Sequence, residues 1–152
     1  MKLFQKKNRL ELVLKEIKKI SKKMSVLFIL HPSTREALMK RGLYSSLNED
    51  PNCSLLPRQS FFKFNSLLRD AEFIVTDGGS NQEESYYLGK PCLLLRSETE
   101  RMEGLGHNVV ISNFDSAVID NFLCYYKLYQ KEPISKTISP SQIIIDHLKE
   151  FT

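Results

Sequence analysis

The chain has 152 residues, of which 41% are hydrophobic, and its formal net charge is +4. This length and composition fit one globular domain with a hydrophobic core. No apolar run approaches the roughly 20 residues needed to cross a bilayer. The first residues are charged throughout and are unlike a secretory signal. We therefore expect a cytoplasmic protein that neither spans a membrane nor is exported.

The positive charge is concentrated early in the chain, because residues 1–40 contain eleven Lys or Arg against three Asp or Glu. A basic region of this kind can bind nucleic acid or acidic lipid. Here the lysines are spaced along the outer face of an amphipathic helix, and no aromatic residues are interleaved with them to stack on bases. We therefore favour a solvated helix face over an interface with nucleic acid or membrane.

The three cysteines, Cys53, Cys92 and Cys124, lie far apart and show no CxxC spacing. Their odd number and the lack of a signal indicate reduced thiols. Cys92 falls in an apolar run and is expected to be a small core residue. His107 and His147 have no Cys, His or carboxylate partners at the spacing of metal ligands, so we predict no metal site.

The spacing of apolar residues predicts helices and strands in alternation. The predicted helices cover residues 8–22, 34–41, 59–69, 81–88 and about 114–126, and a last helix starts with the Ser139–Pro140 pair. The predicted strands cover residues 25–30, 53–56, 72–76, 92–95 and 108–111, and residues 44–52 are expected to form a loop. Ser33 with Glu36 and Ser80 with Glu83 match the capping box that begins a helix.

The order and character of these elements predict an α/β class fold. Continuous apolar strands between helices favour a Rossmann-like parallel sheet with helices on both faces. Such a unit normally opens with a strand, whereas this chain opens with a helix. We therefore expect that the first strand is missing and that residues 1–152 form one partial domain.

The segment 72–84 contains the main candidate site. A buried strand ends at Asp77, Gly78 and Gly79, and a helix begins near Ser80, so free N–H groups and the positive end of a helix dipole face one place. This arrangement suits a phosphate or diphosphate, although Gly-Gly can also serve only to make the turn. It matches neither the GxGxxG fingerprint nor a Walker A loop, so redox cofactors and ATP are not favoured and no cofactor is predicted.

Three further polar residues, His31, Asp77 and Arg96, fall at the carboxyl ends of predicted strands, where ligands bind on sheets of this kind. His31 at a strand end is better explained as a capping or loop residue than as a ligand contact. Asp77 is expected to order the glycine turn. Glu83 and Glu84 diverge by about 100° on the helix and cannot act on one bond, so one is assigned to the cap and the other to the ligand.

The segment 76–103 resembles the C-terminal domain of UDP-N-acetylglucosamine 2-epimerases. The family motif runs Thr-Asp-Ser-Gly-Gly-x-Gln-Glu-Glu, then Leu-Gly-Lys-Pro, then Arg-x-x-Thr-Glu-Arg-Pro-Glu. Matching residues are Thr76, Asp77, Gln82, Glu83, Glu84, Leu88, Gly89, Lys90, Pro91, Arg96, Thr99, Glu100, Arg101 and Glu103. The chain departs from the motif in having Gly78-Gly79-Ser80 where the family has Ser-Gly-Gly, and Met102 where the family has Pro.

The resemblance implies the C-terminal half of a two-domain glycosyltransferase-B type fold, with a nucleotide sugar bound between the halves. It implies that UDP or a UDP-N-acetylhexosamine is the ligand. The implied contacts are the diphosphate on Gly78, Gly79 and Ser80, the ribose on Glu84, phosphate or substrate on Arg101, and the uracil beside Gln59 and Phe64. His31 is a weaker candidate for the same nucleotide sugar.

The reaction implied for the intact family is inversion at C2 of the sugar, by elimination and re-addition of UDP, in surface polysaccharide synthesis. The N-terminal domain with the catalytic carboxylates is not in this chain, so we assign it no catalytic residue. That domain is the expected partner, and the full-length protein is compatible with a homodimer. The non-hydrolysing type is favoured. The alternatives are a hydrolysing epimerase or glycosyltransferase of the same fold, a stand-alone nucleotide-sugar-binding module, or a gene remnant.

Overall fold

The computed structural model describes residues 7–134 and 140–150. Their regular elements, in chain order, are α1 (Lys7–Ser21), β1 (Val26–Leu30), α2 (Pro32–Lys40), α3 (Tyr44–Asn48), β2 (Cys53–Pro57), α4 (Phe61–Asp70), β3 (Ile74–Thr76), α5 (Gly79–Tyr87), β4 (Cys92–Leu94), β5 (Val109–Ile111), α6 (Ser116–Tyr125), a 3-10 turn (Tyr126–Tyr129) and α7 (Pro140–Lys149). The predicted alternation of helices and strands is confirmed. The predicted cap residue Ser139 lies outside the described residues.

The strands are all parallel, as expected, but they form two sheets. β1 pairs with β2, in a register that sets Val26 opposite Cys53. β4 lies between β3 and β5, with Cys92 opposite both Ile74 and Val109. Among the described residues no ladder joins the two sheets, so the single sheet that we predicted is found in two parts.

Strand residues on both sheets remain exposed, with Leu27 of β1 at 52% and Val75 of β3 at 37%. Apolar side chains of parallel strands are normally covered on both faces. The first strand that we predicted to be missing belongs to neither sheet and stays a prediction.

Helices cover both faces of the strands. On one face α1, α2, α3 and α6 share a core that includes Leu10, Leu38, Leu47 and Phe122, together with Leu93 of β4. On the other face Leu68 and Phe64 of α4 pack with Ile74, Cys92 and Leu94. The apolar stripe predicted for α1 is confirmed, since Leu10, Val13, Leu14 and Ile17 are buried. Cys92 is fully buried, and this burial raises the pKa of its thiol to about 12.

Two local predictions are wrong. Residues 44–52 are not all loop, because α3 occupies Tyr44–Asn48 and is anchored by the fully buried Leu47. The Ser33–Glu36 capping box does not form either. Instead His31 caps α2, its Nδ1 accepting from the backbone N–H of Ser33 at 3.3 Å, and Glu36 pairs with Lys40 at 2.7 Å.

Candidate functional site

The glycine turn follows β3 directly and is ordered by Thr76. The Thr76 hydroxyl oxygen accepts from the backbone N–H of Gly78 at 3.0 Å and from the Asn81 side-chain amide at 2.8 Å. We predicted that Asp77 would order the turn. The side chain that does so is Thr76, whereas Asp77 contributes its backbone carbonyl, which accepts from Arg96 Nε at 2.6 Å.

Helix α5 begins at Gly79, with Gly78 as its N-cap, and within residues 7–134 no side chain caps it. The predicted Ser80–Glu83 capping box is therefore wrong, because Ser80 already lies in the first helical turn and is exposed. An uncapped first turn leaves backbone N–H donors without intrahelical partners. Those donors and the helix dipole favour an anion at this end of α5.

Arg101 lies directly over this helix end. A methyl group added at Gly79 would be 2.6 Å from Arg101 Nε and 2.9 Å from Arg101 Cδ. Gly79 is buried as a result, whereas Gly78 is half-buried and Ser80 exposed. Glycine at position 79 thus permits the guanidinium and the start of α5 to approach each other.

Four charged side chains form a row of ion pairs across the turn. Arg96 Nη1 lies 3.1 Å from Glu100 Oε2, Glu100 Oε1 lies 3.8 Å from Arg101 Nε, and Arg101 pairs with Glu83. The pKa of Glu100 is below its ordinary value, first because its own backbone N–H donates to the carboxylate and then because of Arg96 and Arg101. The charges of the two guanidinium groups and the two carboxylates cancel, so this row of side chains has no net charge.

Two buried polar atoms at this site have no hydrogen-bond partner within the described part of the chain, namely Glu84 Oε2 and Arg101 Nε. Burial, and secondarily the neighbouring Glu83, raises the pKa of Glu84 above its ordinary value. Buried donors and acceptors without partners are costly and uncommon in folded proteins. One acceptor and one donor are therefore positioned to bind a group from outside the chain.

The 99–103 segment is held in place by Gln82, whose side chain is fully buried in α5. Its amide donates to the backbone oxygens of Arg101 at 3.1 Å and Glu103 at 2.9 Å, and its oxygen accepts from the Thr99 hydroxyl at 2.8 Å. From the sequence we treated Gln82 only as part of a motif and assigned Glu83 to the cap. Two polar residues just before Glu84 were the only local sign of these roles, because the partners of Gln82 and Glu83 lie 17 to 21 residues away.

The remaining predicted contact residues lie on other elements. Gln59 is half-buried just before α4 and donates to the Pro57 carbonyl at 2.6 Å. Phe64 of α4 packs against the core beside β3 and β4. His31 is exposed and its Nδ1 is engaged in the cap of α2, so a ligand contact would fall to Nε2. Within the described ranges, no hydrogen bond or ion pair joins these residues to the glycine turn or to Arg101.

Two cavities in the described structure lie away from the glycine turn. One, of about 240 Å³, is between α1 and α6 and is lined by Lys19, Phe73 and Cys124 among others. The other, of about 420 Å³, is bordered by Leu30 and Pro57 at the ends of β1 and β2. We therefore define the candidate site by its polar groups.

In residues 7–134 and 140–150, no group of three or more His, Cys, Asp or Glu side chains is arranged to hold a metal ion. Over the same ranges, every helix is too short or too polar to cross a membrane.

Known proteins resemble this chain over most of its length. The profile of the family described as UDP-N-acetylglucosamine 2-epimerase matches residues 2–134. The UDP-N-acetylglucosamine 2-epimerase of Methanococcus maripaludis is 37% identical over 94 residues, which are 60% of this chain and 26% of that protein.

Solved structures agree. The UDP-GlcNAc 2-epimerase from Methanocaldococcus jannaschii superposes with a TM-score of 0.83 at 23% identity, covering 99% of this chain and 43% of that one. The enzyme from Neisseria meningitidis, bound to UDP-GlcNAc, gives a TM-score of 0.65 at 26% identity, covering 91% and 40%. The expected α/β fold of the glycosyltransferase-B type is thereby confirmed.

This chain matches only part of the length of each relative. The chain spans about a quarter of the length of the curated relative and about two fifths of the solved chains. The family profile nevertheless covers well over half of the 152 residues. This chain is a member of the UDP-N-acetylglucosamine 2-epimerase family.

Proposed function

We propose that this chain binds the UDP portion of a UDP-N-acetylhexosamine at the N-terminus of α5. The observation that carries the proposal is a pair of buried atoms, Glu84 Oε2 and Arg101 Nε, which have no hydrogen-bond partner among the described residues and lie beside an uncapped helix end. A diphosphate supplies acceptors and a ribose supplies hydroxyl donors, so one nucleotide satisfies both atoms. The relative from Neisseria meningitidis, whose structure holds UDP-GlcNAc, supports this choice of ligand.

The diphosphate lies against the first turn of α5. The N–H groups of Gly79 and Ser80 donate to phosphate oxygens, and the helix dipole adds to the attraction. The N–H of Gly78, which we also predicted to hold the diphosphate, donates to the Thr76 hydroxyl instead. Arg101 donates from Nε, which has no hydrogen-bond partner among the described residues and lies 3.8 Å from Glu100 Oε1. A guanidinium facing a phosphate makes charge-assisted hydrogen bonds, which are stronger than neutral ones.

The nucleoside lies beyond the phosphates. The ionised carboxylate of Glu84 can accept from both hydroxyls of a vicinal diol, as ribose presents. Phe64 and Gln59 border the uracil, with the ring covering the base and the amide contacting its edge. His31 can contact the ligand only through Nε2, because its other nitrogen is engaged in the cap of α2.

The whole reaction needs more than this site. We propose that the longer protein interconverts UDP-N-acetylglucosamine and UDP-N-acetylmannosamine without hydrolysis, by elimination and re-addition of UDP. Elimination requires a base near C2 and stabilisation of the departing diphosphate. The residues described here supply the stabilisation of the diphosphate. They supply no base near C2, since Glu83 is paired with Arg101 and Glu84 faces the ribose. The chain alone is therefore expected to bind but not to turn over substrate.

The first test is a titration of the isolated chain with UDP, UDP-N-acetylglucosamine and uridine, followed by amide chemical shifts in NMR. We expect shifts at residues 78–84 and 99–101 with millimolar or tighter affinity for the two diphosphates. Absence of any shift at millimolar UDP would contradict the binding proposal. Normal epimerase turnover by the isolated chain would contradict the proposal that the chain alone binds substrate without turning it over.

The second test is Gly79→Ala. The added methyl group would displace the Arg101 side chain, so we expect the affinity for UDP to fall by about tenfold. Stability should change by less than about 1 kcal/mol, because alanine is favourable in a helix. Gly78→Ala is the matched control, since its methyl group would meet no atom closer than 3.5 Å. An equal loss of affinity in both variants would argue against a role for Arg101.

A further inference from the structure

Gln82 is connected to both backbone polar groups of Arg101. Its side-chain amide donates directly to the Arg101 carbonyl at 3.1 Å. The Arg101 N–H donates to the Thr99 hydroxyl oxygen at 3.3 Å, and that hydroxyl donates to Gln82 Oε1 at 2.8 Å. A second bond from the Gln82 amide reaches the Glu103 carbonyl at 2.9 Å. The main chain is therefore held on both sides of the residue whose side chain covers Gly79.

The chemistry at position 82 requires an amide. Two carbonyls need two N–H donors, and the Thr99 hydroxyl needs one acceptor. Glutamate would bring acceptors toward both carbonyls, and an apolar side chain would leave the carbonyls without their donors at a fully buried position. Among side chains of this size only glutamine satisfies all three groups.

The location of these bonds suggests what they do. The segment 99–103 has no regular secondary structure, so without Gln82 its path over α5 would depend on the exposed Glu100 and on the Arg101–Glu83 pair. Surface ion pairs hold geometry weakly. Buried hydrogen bonds to the backbone define the path of the segment much more closely.

We propose that Gln82 is the positioning residue for Arg101, and that it acts on the phosphate part of the ligand only. This inference rests on the proposed function of the site. Gln82 contacts no ligand itself, because its side chain is fully buried and engaged in three hydrogen bonds. It keeps the guanidinium over the first turn of α5, where the diphosphate binds.

Asn108 provides a matched control at the other end of the same helix. It is also a fully buried amide, and it donates to the carbonyls of Ser85 at 3.0 Å and Lys90 at 2.7 Å. Its loss should destabilise the fold much as the loss of Gln82 does. It has no connection to residues 99–103 through these bonds, so it should not affect Arg101.

The experiment is a double-mutant cycle on the chain, with Gln82→Met, Arg101→Ala and the combined variant, and UDP and uridine as ligands. Each single change should weaken UDP binding about tenfold, and the double variant should be no weaker than either single one. Uridine affinity should not change. Asn108→Leu should lower the melting temperature and leave UDP affinity within about twofold of the original.

Two results would overturn the inference. One is an unchanged UDP affinity in Gln82→Met, and the other is a double variant about a hundredfold weaker, as expected for independent effects. If Gln82→Met does not fold, Thr99→Val removes one link of the same network and should reproduce the effect in part. If the unchanged chain binds no UDP, the proposed function fails instead. Amide hydrogen exchange at 99–103 then tests by itself whether Gln82 holds this segment: exchange must be faster in Gln82→Met than in Asn108→Leu.

Discussion

The two ends of α5 are each fastened by a buried amide, yet they differ in what closes them. At the C-terminal end Asn108 holds the carbonyls of Ser85 and Lys90, and Lys131 N–H donates to the Gly89 carbonyl at 2.9 Å. At the N-terminal end Gln82 holds the 99–103 segment. Both ends leave buried atoms without a hydrogen-bond partner among the described residues, namely Asn108 Oδ1 at the C-terminal end and Glu84 Oε2 and Arg101 Nε at the N-terminal end.

Close packing also differs between the two ends. At Gly89, which has φ of +66°, an added methyl group would lie 2.2 Å from the Lys131 backbone oxygen. At Gly79 the nearest atoms belong to the flexible end of the Arg101 side chain. The C-terminal end is thus closed by backbone, whereas the N-terminal end is closed by a side chain that can move.

This difference separates stability from binding along one nine-residue helix. Substitutions at the C-terminal end should mainly affect folding, and substitutions at the N-terminal end should mainly affect ligand affinity. The first turn of α5 keeps its uncapped donors because the other end, held by Asn108 and by close backbone contact with Lys131, anchors the helix. The following predictions test this separation, beginning with the largest effect.

Gly89→Ala should destabilise the chain by about 2–5 kcal/mol, from backbone strain at positive φ together with overlap with a backbone carbonyl. Chemical denaturation followed by circular dichroism measures the change. Gly106→Ala is the control, since Gly106 also has positive φ, +71°, but nothing within 4 Å of the added methyl group. It should cost only about 1 kcal/mol. Equal costs would show that the contact with Lys131 is unimportant.

Glu84→Gln should weaken UDP binding about tenfold, because a neutral amide accepts hydroxyl hydrogen bonds less strongly than a carboxylate. It should not reduce stability, since it removes the charge of a half-buried carboxylate whose Oε2 has no hydrogen-bond partner among the described residues. Isothermal titration and thermal unfolding measure the two effects. A parallel loss of stability and affinity would show that Glu84 is structural.

The raised pKa of Glu84 adds a pH dependence. Only the ionised carboxylate accepts from both hydroxyls, so affinity for UDP-N-acetylglucosamine should fall on acidification at a pH above the ordinary pKa of a glutamate. UDP-N-acetylglucosamine is used here because the terminal phosphate of free UDP itself gains a proton at about pH 6. For stability the sign is opposite: the folded state binds the proton more tightly, so this group makes the fold less stable as pH rises through the raised value. Both trends should be absent in Glu84→Gln between about pH 4 and 8.

Glu100→Gln should strengthen binding of UDP by roughly twofold to fivefold at low salt, because it removes one negative charge beside Arg96 and Arg101. Glu98→Gln is the matched control from the same exposed segment, and it should change affinity less. The gain should shrink as ionic strength rises. Weaker binding in Glu100→Gln would instead mean that Glu100 holds Arg96 and Arg101 in their binding positions.

Local patterns were sufficient to locate most of the fold. The apolar runs that end at Leu30 and Thr76 are strands, and the stripe from Leu10 to Ile17 is the buried face of α1. These predictions succeeded because burial of neighbouring residues along one element repeats with its period. The helix at Tyr44–Asn48 was missed because only Leu47 anchors it, and one residue makes no period.

The caps show where local patterns fail. Ser33–Glu36 and Ser80–Glu83 both match the capping box, but neither forms. Glu36 pairs with Lys40 one turn along its helix, and Glu83 pairs with Arg101, 18 residues away. A carboxylate makes a stronger hydrogen bond to a cation than to a backbone amide of its own helix. The position of the cation depends on the fold.

The order of helices and strands, the glycine turn at 77–79 and the family motif could be inferred from the amino-acid sequence, since each depends on residues close together in the chain. Three features became visible only in the folded structure: Thr76 orders the turn, Arg101 covers Gly79, and Gln82 holds Arg101 there. These contacts join residues of different segments, and their partners are chosen by which groups burial leaves unsatisfied. Spacing along the chain does not contain that information.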